Sequence, residues 1–195
     1  VTVGDTETAA ASLVLTGTSN NTTLVPNNVA NIAFGGSGTN RTVTITPAAN
    51  QNGSATITLI ANDGALSTTN TLVLTVTEVN DLPSFTVSTN LVLVAEDAGI
   101  VTNASFLNGI STGPGNETNQ TYTFTLTAGT NFSFATAPAI STNGTLTFRT
   151  ATNSVGTNLI TVVMKDSGGT TGGGKDSVTN TFSIGVTPAN DAPTF

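Results

Sequence analysis

Nearly all the chemistry open to this chain is oxygen chemistry. It has eleven Asp and Glu residues, four Lys and Arg, and no His or Cys. Without His it lacks the commonest general base and the commonest transition-metal ligand, which closes off most catalytic chemistry. The absence of Cys is compatible with any redox compartment. Paired carboxylates are the remaining catalytic option, as in glycoside hydrolysis. Here most of the acids fall at widely separated turns rather than on strands, no deep cleft is implied, and an enzyme is not expected. Gly169 to Lys175 fits the first seven positions of a phosphate loop. The eighth position should be Ser or Thr, but it is Asp176, and the residues that follow read as strand rather than helix. A hairpin loop rich in residues that tolerate positive φ explains the segment.

The elements that must position these turns are strands. Thr42-Val43-Thr44-Ile45-Thr46, Ala55 to Leu59 and, in large part, Thr71 to Thr77 alternate apolar and polar residues. Thr121 to Thr127 is the cleanest alternation in the chain. Ser12 to Thr16, Ser84 to Ser88, Asn90 to Val94, Gly144 to Phe148, Leu159 to Met164 and Val178 to Val186 are further candidates. Period-two alternation with Thr outward is the half-buried strand pattern. Turn clusters such as Asn62-Asp63-Gly64 separate the runs, which recur at roughly 8 to 12 residues, the spacing of a sandwich. No window carries a helical period. The expected fold class is all-β, with inner faces packed about 10 Å apart.

The chain is punctuated by Glu78-Val79-Asn80-Asp81-Leu82-Pro83-Ser84-Phe85, which returns as Pro188-Ala189-Asn190-Asp191-Ala192-Pro193-Thr194-Phe195, an offset of 110 residues. Asn-Asp-x-Pro stops a strand, because Pro cannot donate to a ladder and Asn and Asp satisfy the backbone locally. Two tandem modules are expected, at 1–82 and 83–195. The turn Asn62-Asp63-Gly64 of the first answers Lys165-Asp166-Ser167-Gly168 of the second. The first module is the shorter, at about 80 residues against about 110, so it is expected to lack its own first strand. An unpaired sheet edge is a liability. The preceding segment of a longer polypeptide, or a neighbouring subunit, is expected to complete it. The chain opens in mid-strand with Val1-Thr2-Val3, as would a piece of a longer polypeptide whose export signal lies elsewhere.

Composition narrows the partners. Charged residues are 8%, aromatic residues 5% and apolar residues 37%, with a net charge of −7. Four basic residues (Arg41, Arg149, Lys165, Lys175) can neither neutralise a nucleic-acid backbone nor form a polybasic membrane patch. No run approaches a membrane span. The cores must come from Val, Leu, Ile and Phe. Outward Thr rows follow from β propensity and solubility, and Asn-x-Ser/Thr triplets follow from the abundance of Asn and Thr.

The hinge Val79-Asn80-Asp81-Leu82-Pro83 resembles the junctions of bacterial cadherin-like and immunoglobulin-like surface repeats. Glu96-Asp97-Ala98-Gly99, Ser111 to Glu117, Gly144 to Phe148 and Lys165 to Asp176 resemble the same pattern, and Val3 to Thr8, Ser19 to Asn21 with Leu24 to Pro26, and Asn52 to Ile57 resemble a sister repeat. The resemblance covers nearly the whole chain. It implies tandem immunoglobulin-like or cadherin-like sandwiches in an extracellular surface protein, filament or matrix, acting as spacer and assembly unit. The alternative it implies is an adhesin module that recognises glycan or protein through its loops. Partners are then neighbouring modules or identical subunits end to end, by strand complementation, with no nucleic acid and no membrane insertion. The resemblance also implies Ca²⁺ at the junctions, an ion that takes roughly six to eight oxygen ligands. The ligand set it suggests is Asp63, Glu78, Asn80 and Asp81 with Glu96, Asp97 and Glu117 at the first hinge. Asp166, Asp176, Asn190 and Asp191 form the comparable set at the second.

Overall fold

A computed structural model describes residues 1–192. Pro193, Thr194 and Phe195 of the second hinge copy lie outside the described residues. The chain forms two compact units, Val1–Glu78 and Val79–Phe195. The described regular structure is β-strand apart from three single 3-10 turns of three residues each. No helix among the described residues is long and apolar enough to cross a membrane.

In the first unit, β1 (Val14–Ser19), β4 (Gly53–Asn62) and β5 (Ser67–Val76) form one antiparallel sheet in the order β1-β4-β5. β2 (Ile32–Ser37) and β3 (Asn40–Ile45) form the second as a hairpin. The free side of β3 carries only an isolated bridge from Asn40 to Thr2, flanked by the Arg41 N–H to Val1 O and Val3 N–H to Thr39 O bonds. The alternation of Ala55-Thr56-Ile57 sends Ala55 and Ile57 inward to Leu24, Val25 and Ile32. Around this small buried set, Phe34, Val43, Leu59, Leu72, Leu74 and Val76 are only half-buried. A cavity of about 250 Å³ opens beside Leu15, Phe34 and Leu59, next to Val1 and Val3.

The second unit is a complete sandwich. One sheet has the order β10-β13-β14-β7, made of β7 (Leu91–Ala95), β10 (Tyr122–Ala128), β13 (Gly156–Asp166) and β14 (Ser177–Thr187). β7 runs parallel to β14, with Leu91 to Ala95 opposite Ser183 to Thr187, and the other pairs are antiparallel. Facing it are β11 (Phe134–Ile140), β12 (Leu146–Thr150) and β8 (Val101–Asn103), together with the pair β6 (Ser84–Val87) and β9 (Leu107–Ser111). Between the sheets lie Phe85, Phe106, Leu107, Leu146, Phe148, Ile160, Val162, Met164, Phe182, Ile184 and Val186, all buried. Every second residue of β13 from Asn158 to Asp166 points into this core, as the alternation requires.

Candidate functional site

Of the eleven residues singled out from the sequence, Asp63 and Glu78 belong to the first unit and the other nine to the second. Asp63 lies in the β4–β5 hairpin. Its Oδ1 accepts the Ala65 and Leu66 N–H groups, both at 2.7 Å. The bonds from Leu66 and Ala65 hold its carboxyl below the usual carboxylate range. This is an Asp closing its own turn. Glu78 is exposed at the end of the unit.

The second unit gathers a polar cluster around Asn80. This residue lies in the extended segment before β6 and is only 7% exposed. Its Nδ2 donates to Asp166 Oδ1 at 3.1 Å and to Lys175 O at 2.7 Å. Its Oδ1 accepts Gln120 Nε2 at 2.8 Å, and its backbone O accepts the Lys175 N–H at 3.0 Å. Next along the chain, the Asp81 N–H donates to Glu117 Oε1 at 2.9 Å, while the Asp81 residue itself is exposed. Two consecutive linker residues are thus fastened to two buried carboxylates. Glu117 is 1% exposed and Asp166 4% exposed.

Local folding sets both acids. Glu117 ends the 3-10 turn Gly115–Glu117, where Thr112 donates to its backbone O. Gly113, at φ 149°, leaves the room its carboxylate fills, and a Cβ there would overlap Oε2. Asp166 ends β13, and its Oδ1 also accepts the Gly168 N–H at 2.9 Å. A Cβ on Gly168 would overlap the Asn80 amide. Each acid has one oxygen bonded and one without a partner. Glu117 Oε2, Asp166 Oδ2 and Gln120 Oε1 are buried acceptors lacking a donor. Asp176 is tied to the same region by its backbone O, which accepts the Asp166 N–H, and it pairs with Lys165 at 3.2 Å.

The remaining acids sort differently from their order along the chain. Glu96, 8% exposed, uses Oε1 to accept the Ala189 N–H at 2.6 Å, so it holds the second hinge copy. Asp97 is exposed in the turn after β7, at φ 60°. Asn190 and Asp191 are exposed. Asp166 and Asp176 therefore stand with the first hinge copy, and Glu96 with the second. Gln120 and Gly168 join the cluster although neither is among the eleven candidate ligands. Gly168 lies in the Asp-Ser-Gly turn, which was a legible signal, whereas nothing local marks Gln120. The Gly169 to Asp176 loop contains a single 3-10 turn and leads into β14, not a helix. Among the described residues, no three acids converge closely enough to hold a metal ion by carboxylates alone.

No family model matches the sequence, and comparison with curated proteins finds no relative. Solved structures do match. The crystal structure of human protocadherin-24 EC1-2, form II, aligns with a TM-score of 0.54 at 15% identity, covering 89% of this chain and 82% of that one. A second human protocadherin-24 EC1-2 structure aligns at 0.51 and 13% identity, covering 90% and 82%. At such identity the likeness is one of architecture: the chain has the β-sandwich fold of cadherin extracellular repeats.

Proposed function

We propose that this chain is a tension-carrying tandem module of an extracellular surface protein, filament or matrix, of the bacterial repeat kind its hinge resembles. Its work is spacing and assembly, without catalysis. The observation that carries this reading is the parallel pairing of β7 with β14 in the second unit. β7 lies early in the unit and β14 ends it, so tension along the chain pulls the two strands past each other. Their hydrogen bonds are then loaded together rather than one at a time. Entry and exit segments are also fastened, by Asn80 to Asp166 and by Glu96 to Ala189.

The first unit has no such parallel pair. Single-molecule pulling of the whole chain by its ends is therefore expected to give two unfolding events, the second unit yielding at the higher force. Forced unfolding reports the unfolding barrier, so Val94→Pro, which removes a β7 N–H from the ladder with β14, should lower only the higher peak. Two peaks of equal force, or no effect of the substitution, would remove the mechanical reading.

Calcium belongs to the same proposal. Cadherin-type architecture suggests it, and the buried orphan oxygens of Glu117, Asp166 and Gln120 fit a hard cation that prefers oxygen. The two carboxylates would supply the charge and the amides the neutral ligands, water completing the shell. A ligand that binds only the folded state raises the unfolding midpoint by mass action. Millimolar Ca²⁺ is expected to raise the second unit's midpoint relative to chelator, and Glu117→Gln to shrink that shift. An unchanged midpoint would exclude the ion.

A further inference from the structure

The two units end in equivalent strands with different neighbours. The hinge copies are 110 residues apart, which sets Val73–Thr77 of the first unit against Ser183–Thr187 of the second. In the second unit those five residues pair with β7, which covers the edge of β14. In the first unit β5 is the last strand of its sheet. The core registers the difference. Phe182, Ile184 and Val186 are 2%, 0% and 4% exposed. Their equivalents Leu72, Leu74 and Val76 are only half-buried.

The edge of β5 is also undefended. Natural edge strands are blunted by charge, proline, bulges or shortness. β5 reads Ser-Thr-Thr-Asn-Thr-Leu-Val-Leu-Thr-Val, with no charge and no proline, and it pairs with β4 over ten unbroken positions. The other sandwich shows the contrast: its edge strand β11 carries Pro138 and two register shifts. A long, unbroken, uncharged edge over a half-buried core is the geometry of a strand acceptor.

We infer that the β5 edge is a docking site for a β-strand running parallel to it along Val73–Thr77. The occupant is a partner polypeptide segment, proline-free, with aliphatic residues at alternate positions. The chemistry is read from β7, whose Val92 and Val94 face the second unit's core while Leu91 and Leu93 face out. Its backbone would supply the ladder along β5, and its inward aliphatic pair would cover Leu72, Leu74 and Val76. This inference rests on reading the chain as an assembly module, but it concerns the first unit, whereas the pulling and calcium tests read the second.

The probe is a synthetic peptide of Thr89 to Glu96 (Thr-Asn-Leu-Val-Leu-Val-Ala-Glu), added to the whole chain and followed by amide NMR and hydrogen exchange. In the second unit the Ser183 N–H donates to Asn90 O. The equivalent Val73 N–H, with those of Thr75 and Thr77, is expected to gain protection of at least ~10-fold. Peptides with Asp at both inward valines, or Pro in place of the second valine, whose N–H lies in the ladder, should not bind. Val73→Pro in the protein should abolish binding of the parent peptide. No protection at millimolar peptide overturns the proposal, as does protection confined to β14, which would mean exchange with β7. Concentration-dependent self-association of the chain alone, with the same Val73–Thr77 protection, also overturns it and makes a second copy the occupant.

Discussion

Phe106→Ala is expected to remove about 3–5 kcal/mol from the second unit, a large part of what holds a small domain folded. Phe106 is 0% exposed and stacks edge-on against Phe182 at 4.6 Å between ring centroids. It arrives there by local geometry. β8 stops at Asn103, Ser105 takes φ 55°, and the chain resumes as β9 at Leu107. The break turns Phe106 into the core, where the Ser88 N–H bonds its carbonyl at 2.8 Å. Urea titration should show a lowered midpoint with an unchanged slope. Val73→Ala, at a position 71% exposed, should stay within about 0.5 kcal/mol and serves as the control. A loss below about 1 kcal/mol for Phe106→Ala would mean that the ring does not sit at the centre of the sandwich.

Where the fold was readable in advance, alternation made it so. Thr121 to Thr127 became β10, Thr71 to Thr77 fell largely on β5, and Leu159 to Met164 sits inside β13. Three stretches gave no warning. β2 reads Ile-Ala-Phe-Gly-Gly-Ser, with too few apolar positions to alternate. β11 contains Pro138 and reads as a loop, because proline is tolerated only at an edge or bulge, which is where the structure puts it. β8 and β9 are one strand's worth of sequence broken at Ser105, too short in each half to show a period.

The polar cluster was legible by residue type but not by grouping. Asp63 and Asp166 occupy matching turns, yet Asp63 bonds its own hairpin while Asp166 is buried against Asn80. Sequence cannot separate these outcomes, because the difference lies in a partner 86 residues away. Burial also reversed the expected company of Glu96. Chain order puts it close to the first hinge, but β7 pairs with the last five residues of β14 and so delivers it to the second.

Asn80→Ala should cost the second unit about 2–4 kcal/mol and free its entry segment. The carboxamide has bonds to Asp166 Oδ1, Lys175 O and Gln120 Nε2, and truncation leaves all three facing a void. Loss of partners to buried groups costs more than loss of the bonds themselves, most of all where one is a carboxylate. Asn80→Asp is the sharper variant because it keeps the shape. The new carboxylate still accepts from Gln120 but cannot donate to Asp166 or Lys175 O. It also sets a second negative charge at the distance where Nδ2 had met Oδ1, 3.1 Å in the parent. In chelator at neutral pH it should be less stable than Asn80→Ala. Like-charge repulsion raises the folded-state pKa of one acid of the pair, so the penalty is full above that pKa and fades as pH falls through it. Millimolar Ca²⁺ should relieve the same penalty, because a cation at this pole would sit against both acids. The measurement is the urea midpoint of parent and both variants, with and without Ca²⁺, at neutral and acid pH. If Asn80→Asp matches the parent in chelator, Asn80 is not a donor to Asp166. If it is destabilised but insensitive to Ca²⁺, the anchoring role stands and the ion does not.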